Sequence, residues 1–180
     1  MASVFISYTN RGGEPEGGRE GEGLIWARRI AAWLREWGYE SLFLDKDPND
    51  GIAPGADWRG ELISQLRRSR AVIAVCTPEY QRSPWCMAEL GIALDRGKLL
   101  IPLQLGGPDV VPLLLQDKQA IQLDPLAFDA SASDATTTTN AAAATTSTAA
   151  TTATSCDDAR LGLQRRLAEA ISWQIGRAHV

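Results

Sequence analysis

Ala71 to Cys76 (AVIAVC) is an unbroken run of small and branched apolar residues, closed by Thr77-Pro78. A strand with one wet face alternates apolar and polar side chains. A run without alternation belongs to a strand covered on both faces, the condition of a parallel sheet. Such a sheet needs helices on each side, so this hexapeptide commits the chain to an α/β architecture. The next segment agrees. Ser83 supplies a hydroxyl to cap free N–H groups, and Pro84 suits the first helical position, where its missing N–H is not needed. Met87, Leu90, Gly91 and Leu94 recur at i, i+3, i+4 and i+7 and predict a buried stripe. Glu89 is expected off that stripe, about 100° around the helix from Leu90. Trp85, four residues earlier, shares its edge. One carboxylate beside one indole, near the start of a helix that follows a strand, marks the first place to look for chemistry.

The rest of the chain supplies the remaining layers. Val4 to Tyr8 reads as a first strand, and Thr9 to Gly23 as a loop with six glycines and four glutamates. Gly13 to Gly18 has the GxxxxG spacing of a phosphate loop, but Arg19-Glu20 follow where Lys and Ser/Thr are required. Gly21-Glu22-Gly23 begins a GxGxxG pattern, but Trp26 takes the third glycine position. The four carboxylates would repel a phosphate, so a rim loop is expected. Residues 24–37 form an amphipathic helix with Trp26, Ile30, Trp33, Leu34 and Trp37 on one side and Gly38 at its end. Glu40 to Asp45 reads as a second strand, and Lys46 to Asp57 as a structured Pro/Gly/Asn/Asp loop. Asp57 caps a helix over Trp58 to Arg68 that buries Leu62, Ile63 and Leu66. Leu99 to Leu105 is a further strand, in which Pro102 predicts an edge or a bulge. Ala120 to Leu123 is the last short strand. Alternation on this scale predicts a doubly wound parallel five-stranded sheet with helices on both faces.

Three regions follow. Residues 1–128 hold the α/β core. Residues 129–156 are almost entirely Thr and Ala, cannot build a core, and read as a disordered insertion or linker. Residues 157–177 return to helical order, with Leu163, Leu167, Ile171 and Ile175 stepping by four. This helix is either the last helix of the domain or a partner-binding tail. An insertion there would be tolerated, since loop closure costs on the order of 1 kcal/mol or less per doubling of length.

Composition narrows the function. A net charge of −4 and a pI near 5.1 argue against a nucleic-acid or anionic-membrane surface. Three cysteines without metal-like spacing suit free thiols in a reducing compartment. The one histidine, His179, sits one residue from the end, so a histidine base is not expected. The opening residues lack a signal-peptide pattern and no apolar run reaches membrane-spanning length, so a cytoplasmic protein is expected.

In an open parallel sheet, ligands bind at the carboxyl ends of the strands. That rim carries Tyr8-Thr9-Asn10, Asp45 with its loop, and Thr77 to Ser83 leading to Trp85 and Glu89. The plainer reading of the same residues is a solvated glutamate and a packing tryptophan. VFISY, FLDKD…GIAPG and AVCTPEYQRSPWCMAEL, in this order, resemble the opening strand, the BB loop, and the strand and third helix of a Toll/interleukin-receptor (TIR) domain. The resemblance covers residues 1–125 well and 157–176 plausibly, and it implies a flavodoxin-like fold. The Thr/Ala tract departs from the family's compact pattern. Some members are homotypic interaction modules. Others cleave NAD+ to nicotinamide and linear or cyclic ADP-ribose in immune and antiphage defence. Catalytic members carry an essential glutamate on the third helix, often as WxxxE, which Trp85-Cys86-Met87-Ala88-Glu89 matches. The resemblance thus implies Glu89 as the catalytic residue and Tyr8, Thr9, Asn10, Asp45, Ser83 and Trp85 as substrate-binding residues. It also implies self-association through Ile52, Pro54 and Gly55, with a fused or separate sensor module as a further partner. NAD+ would be the substrate, with no cofactor and no metal.

The chemistry accounts for a single carboxylate. Hydrolysis of an O-glycoside usually takes two, since the leaving oxygen must be protonated. Nicotinamide leaves NAD+ as a neutral base from a cationic pyridinium and needs no general acid. The rivals are a non-catalytic TIR adaptor, a phospho-receiver and a nucleoside-modifying transferase of related fold. A receiver needs acidic residues after the first strand and an Asp after the third, where this chain has Ser7-Tyr8 and Cys76-Thr77.

Overall fold

The computed structural model describes residues 3–11, 20–45, 55, 57–125 and 149–177, with side chains of the last helix described from Asp157 to Ile171. Five strands form one sheet: β1 (Val4–Ser7), β2 (Leu42–Phe43), β3 (Ala71–Cys76), β4 (Leu99–Leu105) and β5 (Ile121–Leu123). All neighbours run parallel, in the order β2-β1-β3-β4-β5. Among the described residues, four helices cover it: α1 (Glu22–Glu36), α2 (Trp58–Arg68), α3 (Pro84–Asp95) and α4 (Ala149–Arg177).

Side-chain alternation along the strands divides the core in two. Val4, Ile6, Ile73 and Val75 face α1 and the Leu163-Leu167-Ile171 stripe of α4. Phe5, Val72, Ala74 and Cys76 face α2 and α3. β3 is buried at all six positions, as its unbroken apolar run requires. Because α1 and α2 lie on opposite faces, the chain reverses direction across the sheet beside β1. This creates the crevice between β1 and β3 in which doubly wound folds bind ligands.

Several details differ from the sequence reading. The ladder of β2 is only two residues long, Leu42 and Phe43, although Leu44 is also buried. On α1 the stripe is filled by Leu24, Ala27 and Ala31 together with Trp26, Ile30 and Leu34, while Trp33 and Trp37 stack on each other at its margin. Pro102 is in an interior strand rather than at an edge, opposite Ala74 of β3. However, β5 pairs with β4 only from Leu103 onward, so at Pro102 the ladder has one neighbour and the imino acid is tolerated as at an edge. The connection after β4 holds two short 3-10 turns, Pro108–Val110 and Leu113–Leu115.

α4 begins at Ala149 rather than Asp157. Helix propagation from a docked segment is easy through alanine, the best helix former, so the end of the Thr/Ala tract extends the helix instead of staying irregular. The rest of that tract lies outside the described residues. α4 packs on the sheet through Leu163, Leu167 and Ile171, and Arg160 pairs with Glu36 and lies 5.8 Å from the Trp33 ring. No described helix is long and apolar enough to cross a membrane.

Candidate active site

α3 carries the carboxylate. Ser83 caps it, accepting the Cys86 N–H at 3.4 Å, and Pro84 occupies the first turn, as the sequence predicts. The buried stripe is not Met87, Leu90, Gly91 and Leu94 but Cys86, Glu89, Leu90 and Ala93. The stripe is thus rotated by one residue. Glu89 lies on the inward face, 7% exposed, rather than off it.

An ionisable group in that position needs partners. Ser7, the last residue of β1, has the same parity as Phe5 and projects toward α3. Its Oγ donates to Glu89 Oε2 at 2.5 Å. The Tyr80 hydroxyl lies 2.7 Å from the same Oγ, on a side chain with no solvent exposure. Among the described residues, Glu89 Oε1 makes no hydrogen bond. Burial pushes the Glu89 carboxyl up from 4.5 to about 7; the Ser7 hydrogen bond opposes this and the charge of Asp45 adds to it.

A cavity of about 140 Å³ opens beside Glu89. All seven site residues expected from the sequence line it: Tyr8, Thr9 and Asn10 after β1, Asp45 after β2, and Ser83, Trp85 and Glu89 at the start of α3. Tyr8 donates to Asp45, and burial, reinforced by that carboxylate, holds the Tyr8 phenol well above its ordinary value. Asn10 Oδ1 accepts the Gly21 N–H at 2.9 Å, tying the rim to the start of α1. Cys86 also lines the cavity, but burial pushes its thiol up to about 12, so it is protonated and a poor nucleophile near neutrality.

Trp85 stands at the mouth, 36% exposed. Trp58 of α2 meets it edge-on with ring centroids 5.0 Å apart, and the Arg59 guanidinium lies 5.1 Å from the Trp85 centroid. Ser7, Tyr80 and Trp58 were not among the residues expected from the sequence. A hydroxyl ending a fully buried strand is a signal that a partner must exist, but it does not say which. Ile52 and Pro54, expected to join copies of the chain, lie outside the described residues. Gly55 is described and has φ +84°, a conformation that favours glycine. No cluster of three or more metal-ligating side chains occurs among the described residues.

A doubly wound α/β domain with a polar cavity at its strand crevice is the class these features define. A family model described as "TIR domain" matches residues 4–136, and the chain belongs to that family. In structure it is similar to the TIR domain of the Toll-related receptor TRR-2 from Hydra magnipapillata. That match has a TM-score of 0.51 and 20% identity, and covers 68% of this chain and 84% of that one. A weaker likeness is to a 2-desoxiribosyltransferase from Leishmania mexicana, with a TM-score of 0.39, 24% identity, and coverage of 57% of this chain and 64% of that one. A sequence search found no match to a curated protein.

Proposed function

We propose that this TIR domain is an NAD+ nucleosidase acting in the cytoplasm. It cleaves the bond between nicotinamide and ribose to give ADP-ribose or a cyclic isomer, in immune or antiphage signalling. The observation that carries this reading is Glu89: a buried carboxylate with one oxygen held by Ser7 and the other without a hydrogen bond among the described residues, beside a cavity walled by Tyr8, Asp45 and Trp85.

The cavity is smaller than the roughly 300–1,000 Å³ typical of ligand sites. It suits the reacting end of a dinucleotide, with the remainder lying across the rim. As nicotinamide departs, positive charge grows on the ribose, and an ionised Glu89 stabilises it while holding the sugar hydroxyls. Trp85 excludes water from the bond that breaks and stacks on the leaving ring, and Trp58 extends that platform at the mouth. No proton is needed by the leaving group, which fits a cavity whose described lining has one buried carboxylate.

Self-association is part of the proposal. A head-to-tail contact through Ile52, Pro54 and Gly55 would be open-ended and would complete a neighbour's site. Activity then rises with protein concentration, and substitutions at Ile52 and Pro54 abolish that rise.

Concentrated protein incubated with NAD+, with products separated by chromatography, tests the reading. Glu89→Gln keeps the side-chain size but removes the charge and is expected to slow cleavage about 10²–10³-fold. Parent-like turnover by Glu89→Gln removes Glu89 from the reaction. Absence of product at every concentration leaves homotypic recognition, the adaptor role, as the function.

A further inference from the structure

The Tyr80, Ser7 and Glu89 side chains form a line through the crevice. Tyr80 follows β3, Ser7 ends β1, and Glu89 is on α3, so three separate elements meet at two hydrogen bonds of 2.7 and 2.5 Å. Ser7 has a single proton. If it donates that proton to Glu89 Oε2, its oxygen can only accept from Tyr80. Each donor then has one acceptor, and the line terminates on an ionised carboxylate. Among the described residues, the Tyr80 hydroxyl has no other hydrogen-bond partner. A phenol buried to this degree requires such a bond, since phenylalanine would fill the same space without a polar group to satisfy.

We propose that Tyr80 and Ser7 act as a two-hydroxyl relay that fixes Glu89 by Oε2 and leaves Oε1 to meet the ligand's hydroxyls, so that both are positioning residues. The assignment rests on the reading of Glu89 as the catalytic carboxylate. Among the described residues, the other titratable groups around Glu89 are Tyr8 at the end of β1, Asp45 after β2, and Cys86 on α3 itself. From α2 the cavity receives only Trp58 and Leu62, which do not titrate. None of these groups donates a hydrogen bond to Glu89, so among the described residues the relay is the hydrogen-bonding stabiliser of its charged form.

The test is a carboxyl ¹³C titration of glutamate-labelled full chain, with Glu89→Gln identifying the resonance. Ser7→Ala removes a hydrogen bond to the charged form and is expected to raise the Glu89 midpoint by about one pH unit. Tyr80→Phe removes the polarising donor behind Ser7 and gives a smaller rise. In the Ser7→Ala background, Tyr80→Phe adds nothing, since its hydroxyl acts only through Ser7. Ser7→Thr, which keeps the hydroxyl on a residue suited to a strand, restores the parent midpoint. In NAD+ cleavage, Ser7→Ala loses about five-fold at pH 7 and recovers by about pH 9, because the fraction ionised falls from about a half to about a tenth at neutrality.

Midpoints unchanged in both single variants, or a Tyr80→Phe effect that persists without Ser7, overturn the relay. A parent that cleaves no NAD+ while the midpoints move as described removes the enzyme reading and leaves the relay in place.

Discussion

Gly23 and the Thr9 carbonyl are in such close approach that a Cβ on Gly23 would lie 2.3 Å from the carbonyl oxygen. The obstructing atoms are backbone, so they cannot swing aside. The second half of the glycine-rich loop is therefore explained by packing: Gly21 and Gly23 let the first turn of α1 close onto Thr9 and Asn10, which line the cavity. Gly23→Ala separates two effects of opposite sign. As a mere helix residue, alanine would add up to about 1 kcal/mol of stability. The clash predicts a loss of about 1–3 kcal/mol instead. Denaturant midpoints decide between them, and a raised KM for NAD+ is expected alongside the loss because the rim moves.

Glu89 ties stability to pH in the direction opposite to an ordinary paired carboxylate. Its folded value, about 7, lies above the unfolded 4.5, so the native state holds a proton that the unfolded chain has released across this window. Stability from this group is present below about 4.5 and is lost as pH rises through 7, on the order of 3 kcal/mol in total. Glu89→Gln cannot titrate. Its stability, measured by urea unfolding at pH 5 and pH 8, is expected to change less between the two than the parent's. An equal change in both proteins would show that Glu89 is not held out of water.

Trp58 and Trp85 close the mouth of the cavity as an edge-to-face pair, and both are partly exposed. An aromatic platform of this kind is worth about 1–3 kcal/mol to a stacked ring. Trp58→Ala is expected to raise KM for NAD+ about ten-fold and to change kcat much less, since Trp58 stands at the mouth of the cavity while Glu89 is held by Ser7. Steady-state kinetics on the variant check this. A large fall in kcat at unchanged KM would place Trp58 in the chemical step rather than in binding.

What could be read from the chain follows from the range of each interaction. The β3 run, the Ser83-Pro84 start and the Asp57 cap are local signals, and each is found where the residues predict. The phase of α3 was not legible. Nearly every position from Pro84 to Leu94 is apolar or small, so the pattern permits more than one inward face, and only the sheet chooses among them. The partners of Glu89 were hidden for a different reason. Ser7 is 82 residues away in sequence and Tyr80 is 73 residues from Ser7, so the hydrogen bonds exist only after β1, β3 and α3 have been brought together. The start of α4 was missed because composition describes whether a segment can nucleate order, not whether a docked neighbour will extend into it.

α4 also distinguishes a domain helix from a tail by energy. Leu167 has no solvent exposure and packs in the same cluster as Ile101, Leu103 and Ile121 of the sheet. Truncation to alanine leaves a cavity between two ordered layers, which costs about 2–5 kcal/mol in a packed core. A partner-binding tail that only rests on the surface would lose a small fraction of that. Leu167→Ala is therefore expected to lower the denaturant midpoint of the whole protein in one transition, monitored together by far-ultraviolet circular dichroism and tryptophan fluorescence. Trp33 sits against this contact through Arg160, so its emission reports the same event. Two separated transitions would mean that α4 unfolds independently of the sheet, and its place as the domain's closing helix would be lost.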